Sequence, residues 1–343
     1  MSDRPEAQRH SEQGIVSAAG QAPTPFFVIG AGRSGSTLLR LMLASHSHIC
    51  IPPETWYLIP LLKRFTTEEV LTPTALDSAI SIMTSHYRWP DMRLGTAKFR
   101  ELIAEIDKPR LRDLVECVYL WHMARDRKSR WGDKTPAYVA IVPQLERLFP
   151  GARFIHLLRD GRDVAASFQR QGWYGPWLYS NAREWSDALE CDSRWKGQPI
   201  EAQVLRVHYE DLVLNTERTL RTVCQFIEEE FEPQMLAWEG RVDESVPLRE
   251  QHIHQKLKSR PSAEDVYRWK REMPLRQIWI AESFMRVQLD QAGYERRFSS
   301  VFWTPAMLVT QIICKSVFPV VEFQMRAFGY LRRRLRALVR PKP

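Results

Sequence analysis

The residues with the clearest chemical potential lie in the segment FFVIGAGRSGSTLL, at positions 26–39. Four apolar residues that suit a buried strand come first, and a loop of small residues follows from Gly30 to Gly35. Ser36 and Thr37 then begin an apolar stretch with helical spacing. A glycine loop between a strand and a helix N-terminus exposes backbone N–H groups and a partial positive charge. The segment therefore predicts an anion-binding site.

This loop differs from the nucleotide-binding pattern G-x-x-x-x-G-K-[ST] at the position of the lysine. Gly30 and Gly35 match the two glycines, but Ser36 replaces the lysine, and Arg33 supplies a cation inside the loop. A kinase or NTPase would also need a carboxylate at a strand end to hold Mg²⁺. The acids that follow the predicted strand at 153–158 are flanked by arginines. A P-loop kinase-like phosphotransferase is therefore kept as the alternative.

Apolar strands and helical stretches alternate along the chain, which predicts an α/β fold with a central, mostly parallel sheet covered by helices on both faces. We expect strands at 26–29 and 153–158, and at 203–212 a third strand that leads into a turn. Ligands of such sheets bind beyond the carboxyl ends of the strands, so side chains that follow strands should meet at one rim. The rim residues with suitable chemistry are Arg33, Lys134, Arg159 and Tyr209.

Two of these rim residues predict separate anion sites. Arg33 lies within the glycine loop, whereas Arg159 ends a buried strand, where a charge is costly without an anionic partner. Ser167 lies about two helical turns after Arg159 and can add a hydroxyl to the same anion. Two anion sites on one rim imply a ligand with two phosphate-type groups, such as a doubly phosphorylated nucleotide.

The chain resembles the sulfotransferases that use 3′-phosphoadenosine 5′-phosphosulfate in four ordered segments, GAGRSGSTLL, DKTP, LLRDGRDVAAS and HYEDLVLNTERTL, together with a separated ETW. Their spacing is most like that of the tyrosylprotein sulfotransferases and their bacterial relatives, over about residues 26–295. The resemblance implies a P-loop-like three-layer fold. It also implies metal-independent, in-line transfer of a sulfuryl group from this co-substrate to an acceptor hydroxyl. A non-catalytic nucleotide-binding member of the fold is a further alternative.

The resemblance also implies which residues bind the co-substrate. Arg33 to Thr37 would form the 5′-phosphosulfate loop, and Arg159 and Ser167 are eight residues apart, like the family's ligands of the 3′-phosphate. Tyr209 resembles the tyrosine that contacts the nucleotide. The family has a loop that closes over the nucleotide, which we expect after residue 250. The full set of expected ligands is Arg33, Ser34, Gly35, Ser36, Thr37, Arg159, Ser167, Tyr209, Lys258 and Ser259.

The catalytic residues that the resemblance implies are Glu54, Arg33 and Lys134. Lys134 resembles the lysine that contacts the transferring sulfuryl group. Glu54 follows Arg33 by 21 residues, which is the separation of the catalytic glutamate in tyrosylprotein sulfotransferases. Cytosolic sulfotransferases have a histidine at the position of Pro136, and its absence here favours Glu54 as the general base.

The predicted domain organisation has three parts: a flexible N-terminal arm at 1–24, a sulfotransferase domain at 25–298 and an apolar, basic tail at 299–343. Residues 66–130 look mostly helical, and we expect them to form an insertion on the acceptor side. Seven of the eight net positive charges lie after residue 322, so the body of the protein is nearly neutral. This distribution argues against a broad nucleic-acid-binding face.

The tail and the cysteines bear on location. The apolar and basic pattern of 301–340 is typical of an amphipathic helix on an anionic membrane surface, although a helix packed on the body or a spanning helix are alternatives. Five widely spaced cysteines and an N-terminus without a signal peptide indicate a cytoplasmic protein, at the inner face of the membrane if the tail binds lipid. The histidine spacing predicts no metal site. The acceptor could be a tyrosine peptide, glycan, lipid or small molecule, and the sequence predicts no oligomeric state.

Overall fold

The computed structural model describes residues 24–171, 178–242 and 259–298 and the single positions 247, 250 and 257. The predicted tail at 299–343, and the predicted arm at 1–24 except for its last residue, lie outside these ranges, so both stay predictions. Within the described ranges, no helix combines the length and the apolar character that crossing a membrane requires.

A sheet of five parallel strands forms the centre of the domain, in the order β2-β3-β1-β4-β5. The strands are β1 (Phe26–Gly30), β2 (Ile49–Cys50), β3 (Arg130–Lys134), β4 (Arg153–Leu158) and β5 (Val204–His208). The strands predicted at 26–29 and 153–158 are confirmed. In the segment predicted at 203–212 as a strand leading into a turn, the strand ends at His208. Tyr209 then begins a helix with two acids in its first turn, where only a turn was predicted. Acidic residues stabilise a helix N-terminus, which explains the early end of the strand.

Helices pack on both faces of the sheet. They are α1 (Ser36–Ala44), α2 (Leu58–Arg64), α3 (Pro73–Thr84), α4 (Thr96–Ala104), α5 (Leu111–Asp126), α6 (Val142–Leu148), α7 (Gly161–Gln171), α8 (Leu178–Ser193), α9 (Tyr209–Leu214), α10 (Thr216–Phe226), α11 (Trp269–Glu272) and α12 (Leu275–Gln291). Three of them, α3 to α5, fall within 66–130, so this stretch is helical. Its place on the acceptor side stays a prediction.

Alternation along β1 divides the apolar interior into two cores. Phe27 and Ile29 point into a core built with α5, α8 and α12, whereas Phe26 and Val28 point into a core built with α1 and α10. Successive strand residues face opposite sides of a sheet, so a strand that is buried on both faces must be continuously apolar. Phe27 stacks on Phe154 of the neighbouring β4, with the ring centroids 5.6 Å apart. This packing fixes the sheet that carries the rim.

Each strand delivers one of the predicted site residues to the same edge of the sheet. Arg33 follows β1, Glu54 follows β2, Lys134 ends β3, Arg159 follows β4 and Tyr209 follows β5. Because all five strands are parallel, their carboxyl ends lie together, and the loops that follow them form one rim.

Candidate active site

The loop between β1 and α1 has the backbone of an anion-binding turn. Arg33 and Gly35 have left-handed φ values of 66° and 94°, and Gly35 is the N-cap of α1. The first turn of α1 contains no acidic residue, and no side chain caps the helix. The N–H groups at this helix start therefore have no competing carboxylate from α1 itself. The Ser34 hydroxyl is buried without a hydrogen-bond partner among the described residues, which fits a loop shaped around a polar ligand.

A close contact between the loop and Tyr209 explains the need for glycine at position 35. A Cβ atom on Gly35 would lie 2.4 Å from the Tyr209 ring, a distance that atoms do not adopt. The same ring lies beneath the guanidinium of Arg159, whose central carbon is 4.2 Å from the ring centroid. Tyr209 therefore contacts both predicted anion sites.

Hydrogen bonds join the two predicted anion sites directly. Arg33 Nε donates to Ser167 Oγ at 3.2 Å, and Arg159 Nη1 donates to the carbonyl oxygen of Arg33 at 3.2 Å. Arg159 Nε is buried and lacks a hydrogen-bond partner among the residues that the structure describes. The structure thus brings Arg33 of the loop into contact with Arg159 and Ser167, which follow it in the sequence by 126 and 134 residues.

Burial and neighbouring arginines destabilise the positive charges of Arg33 and Arg170. Burial, together with the positive charges of Arg159 and Arg170, lowers the pKa of Arg33 to about 10. Burial and Arg268 likewise lower the pKa of Arg170. A bound phosphate-type group would reverse this effect, because an opposite charge nearby favours the ionised form. The electrostatics of the loop therefore fit an anionic ligand with more than one negative charge.

The acids of the RDGRD segment hold protein groups. Asp163 accepts hydrogen bonds from the backbone N–H groups of Arg268 at 3.2 Å and Trp269 at 2.7 Å. Asp160 Oδ2 accepts from the Trp269 indole at 2.9 Å and from Arg162 Nη2 at 2.7 Å. These contacts dock the start of α11 beside the arginines. The two acids that a phosphotransferase would have used for Mg²⁺ are thus engaged in structural contacts.

A second group of charges surrounds Glu54, beside the loop. Lys134 Nζ donates to Thr37 Oγ1 at 3.3 Å and forms an ion pair with Glu54 Oε1. Glu54 Oε2 accepts from Trp56 Nε1 at 2.7 Å and lies 3.2 Å from Arg88 Nη2. Burial opposes ionisation of Glu54, but Lys134 and Arg88 outweigh it and lower its pKa to about 2. Glu54 is therefore a carboxylate at neutral pH.

A buried polar network fixes the segment that carries Glu54. The Thr55 hydroxyl donates to Asp133 Oδ2 at 2.9 Å, and the Tyr119 hydroxyl donates to the same oxygen at 2.9 Å. The Thr55 N–H donates to Thr135 Oγ1 at 3.2 Å. Burial raises the pKa of Asp133 to about 6. Because Thr55 and Asp133 directly adjoin Glu54 and Lys134, this network positions both members of the ion pair.

Sequence reasoning covered part of this site. Ser259 is exposed and Lys258 lies outside the described residues, so their role in a closing loop stays a prediction. Arg170 and Arg88 were not among the predicted site residues. The sequence could have predicted Arg170, because it follows Ser167 by three residues and therefore lies on the same face of the helix. Nothing in the sequence indicated Arg88, because it comes from the helical stretch at 66–130, far from every motif.

Relatives with similar sequences include enzymes of tyrosine sulfation. The chain is 24% identical over 236 residues to protein-tyrosine sulfotransferase A of Caenorhabditis elegans, a match that covers 66% of this chain and 55% of that protein. It is 28% identical over 208 residues to protein-tyrosine sulfotransferase 1 of Danio rerio, covering 59% of this chain and 52% of that protein. The chain thus spans about half the length of these relatives.

Solved structures share the fold. The sulfotransferase domain from the curacin biosynthetic pathway is similar with a TM-score of 0.54 at 21% identity, covering 80% of this chain and 99% of that one. The sulfotransferase domain of the Synechococcus PCC 7002 olefin synthase is similar with a TM-score of 0.54 at 24% identity, covering 77% of this chain and 95% of that one.

A family model covers the rim from its first strand onward. The model described as "Sulfotransferase family" matches residues 25–233, which is more than half of the chain. This range includes the loop after β1, the Glu54–Lys134 pair, Arg159 and Tyr209. The chain belongs to the sulfotransferase family.

Proposed function

We propose that this protein is an enzyme that transfers a sulfuryl group from 3′-phosphoadenosine 5′-phosphosulfate to an acceptor hydroxyl. The transfer would be an in-line displacement that needs no metal ion. One observation carries the proposal: a cationic loop suited to two phosphate-type groups and an ionised carboxylate–lysine pair adjoin each other on the rim of a sulfotransferase-family fold. Membership of the family supports a sulfuryl donor.

The proposed donor site has two parts, one around Arg33 and the other around Arg159. The loop from Arg33 to Thr37 binds the 5′-phosphosulfate with its backbone N–H groups and hydroxyls. Arg159 and Ser167 bind the 3′-phosphate, and Arg170 joins them from the same helix as Ser167. Two observations support this division. A bound anion would give the Arg159 Nε, which has no partner among the described residues, a hydrogen-bond acceptor, and its negative charge would raise the lowered pKa of Arg33. Tyr209, Lys258 and Ser259 are proposed to contact the nucleotide.

In the proposed chemistry, Arg33 and Lys134 stabilise the negative charge that develops on the bridging oxygen as the sulfur–oxygen bond of the donor breaks. Glu54 accepts the proton of the acceptor hydroxyl as the new sulfur–oxygen bond forms. The cations of Arg33 and Lys134 can stabilise the developing negative charge here, as a metal ion does in phosphoryl transfer.

The Glu54–Lys134 pair links donor binding to base strength. With a pKa of about 2, Glu54 is ionised but weakly basic while Lys134 contacts it. When Lys134 turns to the bridging oxygen, Glu54 loses its nearest positive charge and its pKa rises. The base therefore gains strength when the donor is in place.

The proposed acceptor is a hydroxyl-bearing molecule, and the candidate classes are peptide tyrosines, glycans, lipids and small molecules. The relatives named protein-tyrosine sulfotransferases support a hydroxyl acceptor. The sequence of 301–340 supports peripheral membrane contact, which co-sedimentation with anionic vesicles tests. The full chain should sediment with the vesicles, and a chain ending at Ser300 should not. Equal binding of the two would refute membrane contact through the tail.

The test of the function is transfer of labelled sulfate. A host extract is incubated with the protein and the labelled donor in the presence of a chelator, and mass spectrometry searches for products heavier by one sulfate. We expect such products, and a decrease of about 10²–10³-fold in their rate of formation with Arg33→Ala, because one charge-stabilising group is lost. Mg²⁺-dependent consumption of ATP without donor binding would support the phosphotransferase alternative instead. Tight donor binding without transfer to any acceptor would support a non-catalytic protein.

A further inference from the structure

We infer that Arg88 is a positioning residue for Glu54, because it holds one carboxylate oxygen of Glu54 and is itself held by Glu250. This inference rests on the proposed function of Glu54 as the general base. Arg88 comes from the helical stretch at 66–130. It belongs to no motif of the sequence, and its spacing from the other site residues did not predict a role.

The two oxygens of Glu54 have different partners. Oε1 pairs with Lys134, whereas Oε2 accepts from Trp56 Nε1 at 2.7 Å and lies 3.2 Å from Arg88 Nη2. Contacts on both oxygens fix the plane of the carboxylate as well as its position. A general base must lie within hydrogen-bond reach of the proton it removes, so this orientation decides whether Glu54 reaches the acceptor.

Arg88 is held rigidly where it contacts Glu54. Its side chain is only 10% exposed, and its Nε donates to the Tyr87 hydroxyl at 3.2 Å. Arg88 precedes a 3₁₀ turn at Trp89–Met92, and the Trp89 ring packs against Phe99 with the centroids 5.1 Å apart. Exposed ion pairs contribute little because water screens them and the side chains move. Neither condition applies to Arg88.

Glu250 forms a second ion pair with Arg88. Arg88 Nη2 lies 2.6 Å from Glu250 Oε1, and this is the same nitrogen that approaches Glu54. Charges of opposite sign therefore alternate from Lys134 through Glu54 and Arg88 to Glu250. Arg88 thus holds Glu54 by the oxygen that Lys134 does not contact.

The charged surroundings of Glu54 predict what the loss of Arg88 does. Besides burial, the charged groups that act on Glu54 or on its partners are Lys134, Arg88, Arg40, Asp133 and Glu250. Without Arg88, burial and Asp133 still favour the neutral carboxyl, and fewer cations oppose them. The pKa of Glu54 should therefore rise.

The test combines a direct titration with kinetics. Isotope-labelled glutamate is followed by NMR against pH in the wild type and in Arg88→Gln, and Glu54→Gln assigns the signal. We expect the pKa of Glu54 to rise by about 1–3 units in Arg88→Gln. The turnover number should fall by about 10²-fold because the base is displaced. The acid limb of the pH–rate profile should move to higher pH, and KM for the donor should not change.

Matched variants separate positioning from a general loss of structure. Arg100→Gln removes an exposed arginine, 2.7 Å from Asp77, from the same helical stretch and should change neither the Glu54 signal nor turnover. Arg88→Lys should restore most of the pKa of Glu54 but not the turnover number, because a single ammonium cannot replace both the Nε bond to Tyr87 and the Nη2 contacts with the two glutamates. If Arg88→Gln does not fold, the pKa of Glu54 and the turnover number are measured in Arg88→Lys instead.

The possible failures are distinguishable. An unchanged Glu54 pKa with unchanged turnover in folded Arg88→Gln, or wild-type turnover in Arg88→Lys, would overturn the positioning inference. A wild-type protein that neither binds 3′-phosphoadenosine 5′-phosphate nor transfers sulfate would refute the proposed function. In that case the NMR titration would still decide whether Arg88 controls the protonation of Glu54.

Discussion

Two regions of the rim arrange charge in opposite ways. Around Arg33, burial and neighbouring arginines lower the pKa of Arg33 and of Arg170, and the buried Nε of Arg159 lacks a partner among the described residues. Around Glu54, positive and negative groups alternate, and Lys134 and Arg88 each contact a carboxylate. The regions adjoin at Thr37, which belongs to the loop and accepts a hydrogen bond from Lys134.

The difference separates binding from catalysis. Mutually repelling cations are typical of a site that is completed by an anion, so the first region should determine affinity for the donor. A carboxylate held between cations has a fixed orientation and is already ionised, so the second region should determine the rate. Changes at Arg159 and Ser167 should therefore alter affinity, and changes around Glu54 should alter turnover. Arg33, which is proposed both to bind the donor and to stabilise the developing charge, should affect both quantities.

The largest expected effect comes from Glu54→Gln. The amide has nearly the same shape but cannot accept the acceptor's proton, so the turnover number should fall by about 10²–10⁴-fold. Calorimetry should find the affinity for 3′-phosphoadenosine 5′-phosphate unchanged, because Glu54 lies outside the arginine region. Near-normal turnover would show that Glu54 is not the base. A parallel loss of affinity would show that the two regions are not separable.

A smaller effect is expected from Gly35→Ala in the binding region. The substitution places a Cβ against the Tyr209 ring at a residue with φ of 94°. It should therefore lower the free energy of unfolding by about 1–3 kcal/mol and weaken donor binding. Denaturant unfolding and calorimetry measure the two effects. The matched control is Gly95→Ala, where φ is −64° and a Cβ meets nothing within 4 Å. Equal stability of the two variants would contradict the close contact with Tyr209.

The smallest effect concerns the buried network behind Glu54. Burial raises the pKa of Asp133 to about 6, above its usual 3.8. A carboxyl whose pKa is raised by folding adds stability below its unfolded pKa, and this stability is lost as the pH rises through the folded value. The wild type should therefore lose about 2 kcal/mol relative to Asp133→Asn between about pH 4.5 and about pH 7.5. Urea unfolding measures the difference, and parallel pH dependences would refute the raised pKa.

The sequence predicted the binding region better than the catalytic region, and the reason is physical. Arg33, Arg159 and Ser167 belong to short segments with a strand, a turn and a helix start, whose local patterns determine where the side chains lie. The parallel sheet then brings these segments together. The helix that begins at Tyr209 was predicted only as a turn, because Tyr209 and Leu212 continue an apolar pattern that suits a strand as well as a helix.

The surroundings of Glu54 depend on contacts that no local pattern encodes. Arg88 and Glu250 are 34 and 196 residues away from Glu54 in the chain, and their charges become neighbours only through tertiary packing. The hydrogen bond between Thr55 and Asp133 spans 78 residues in the same way. The resemblance to the family could therefore suggest Glu54 as the base and Lys134 as the lysine that contacts the sulfuryl group, but the sequence could not predict what orients them.

The most direct test of the two-anion binding region compares two nucleotides. Calorimetry measures the affinities for 3′-phosphoadenosine 5′-phosphate and for adenosine 5′-phosphate in the wild type and in Arg159→Ala. The wild type should bind the 3′-phosphorylated nucleotide about 10–100-fold more tightly, because Arg159 adds charge-assisted hydrogen bonds, and Arg159→Ala should lose this preference. Equal affinities of the wild type for the two nucleotides, or an undiminished preference in Arg159→Ala, would contradict the account.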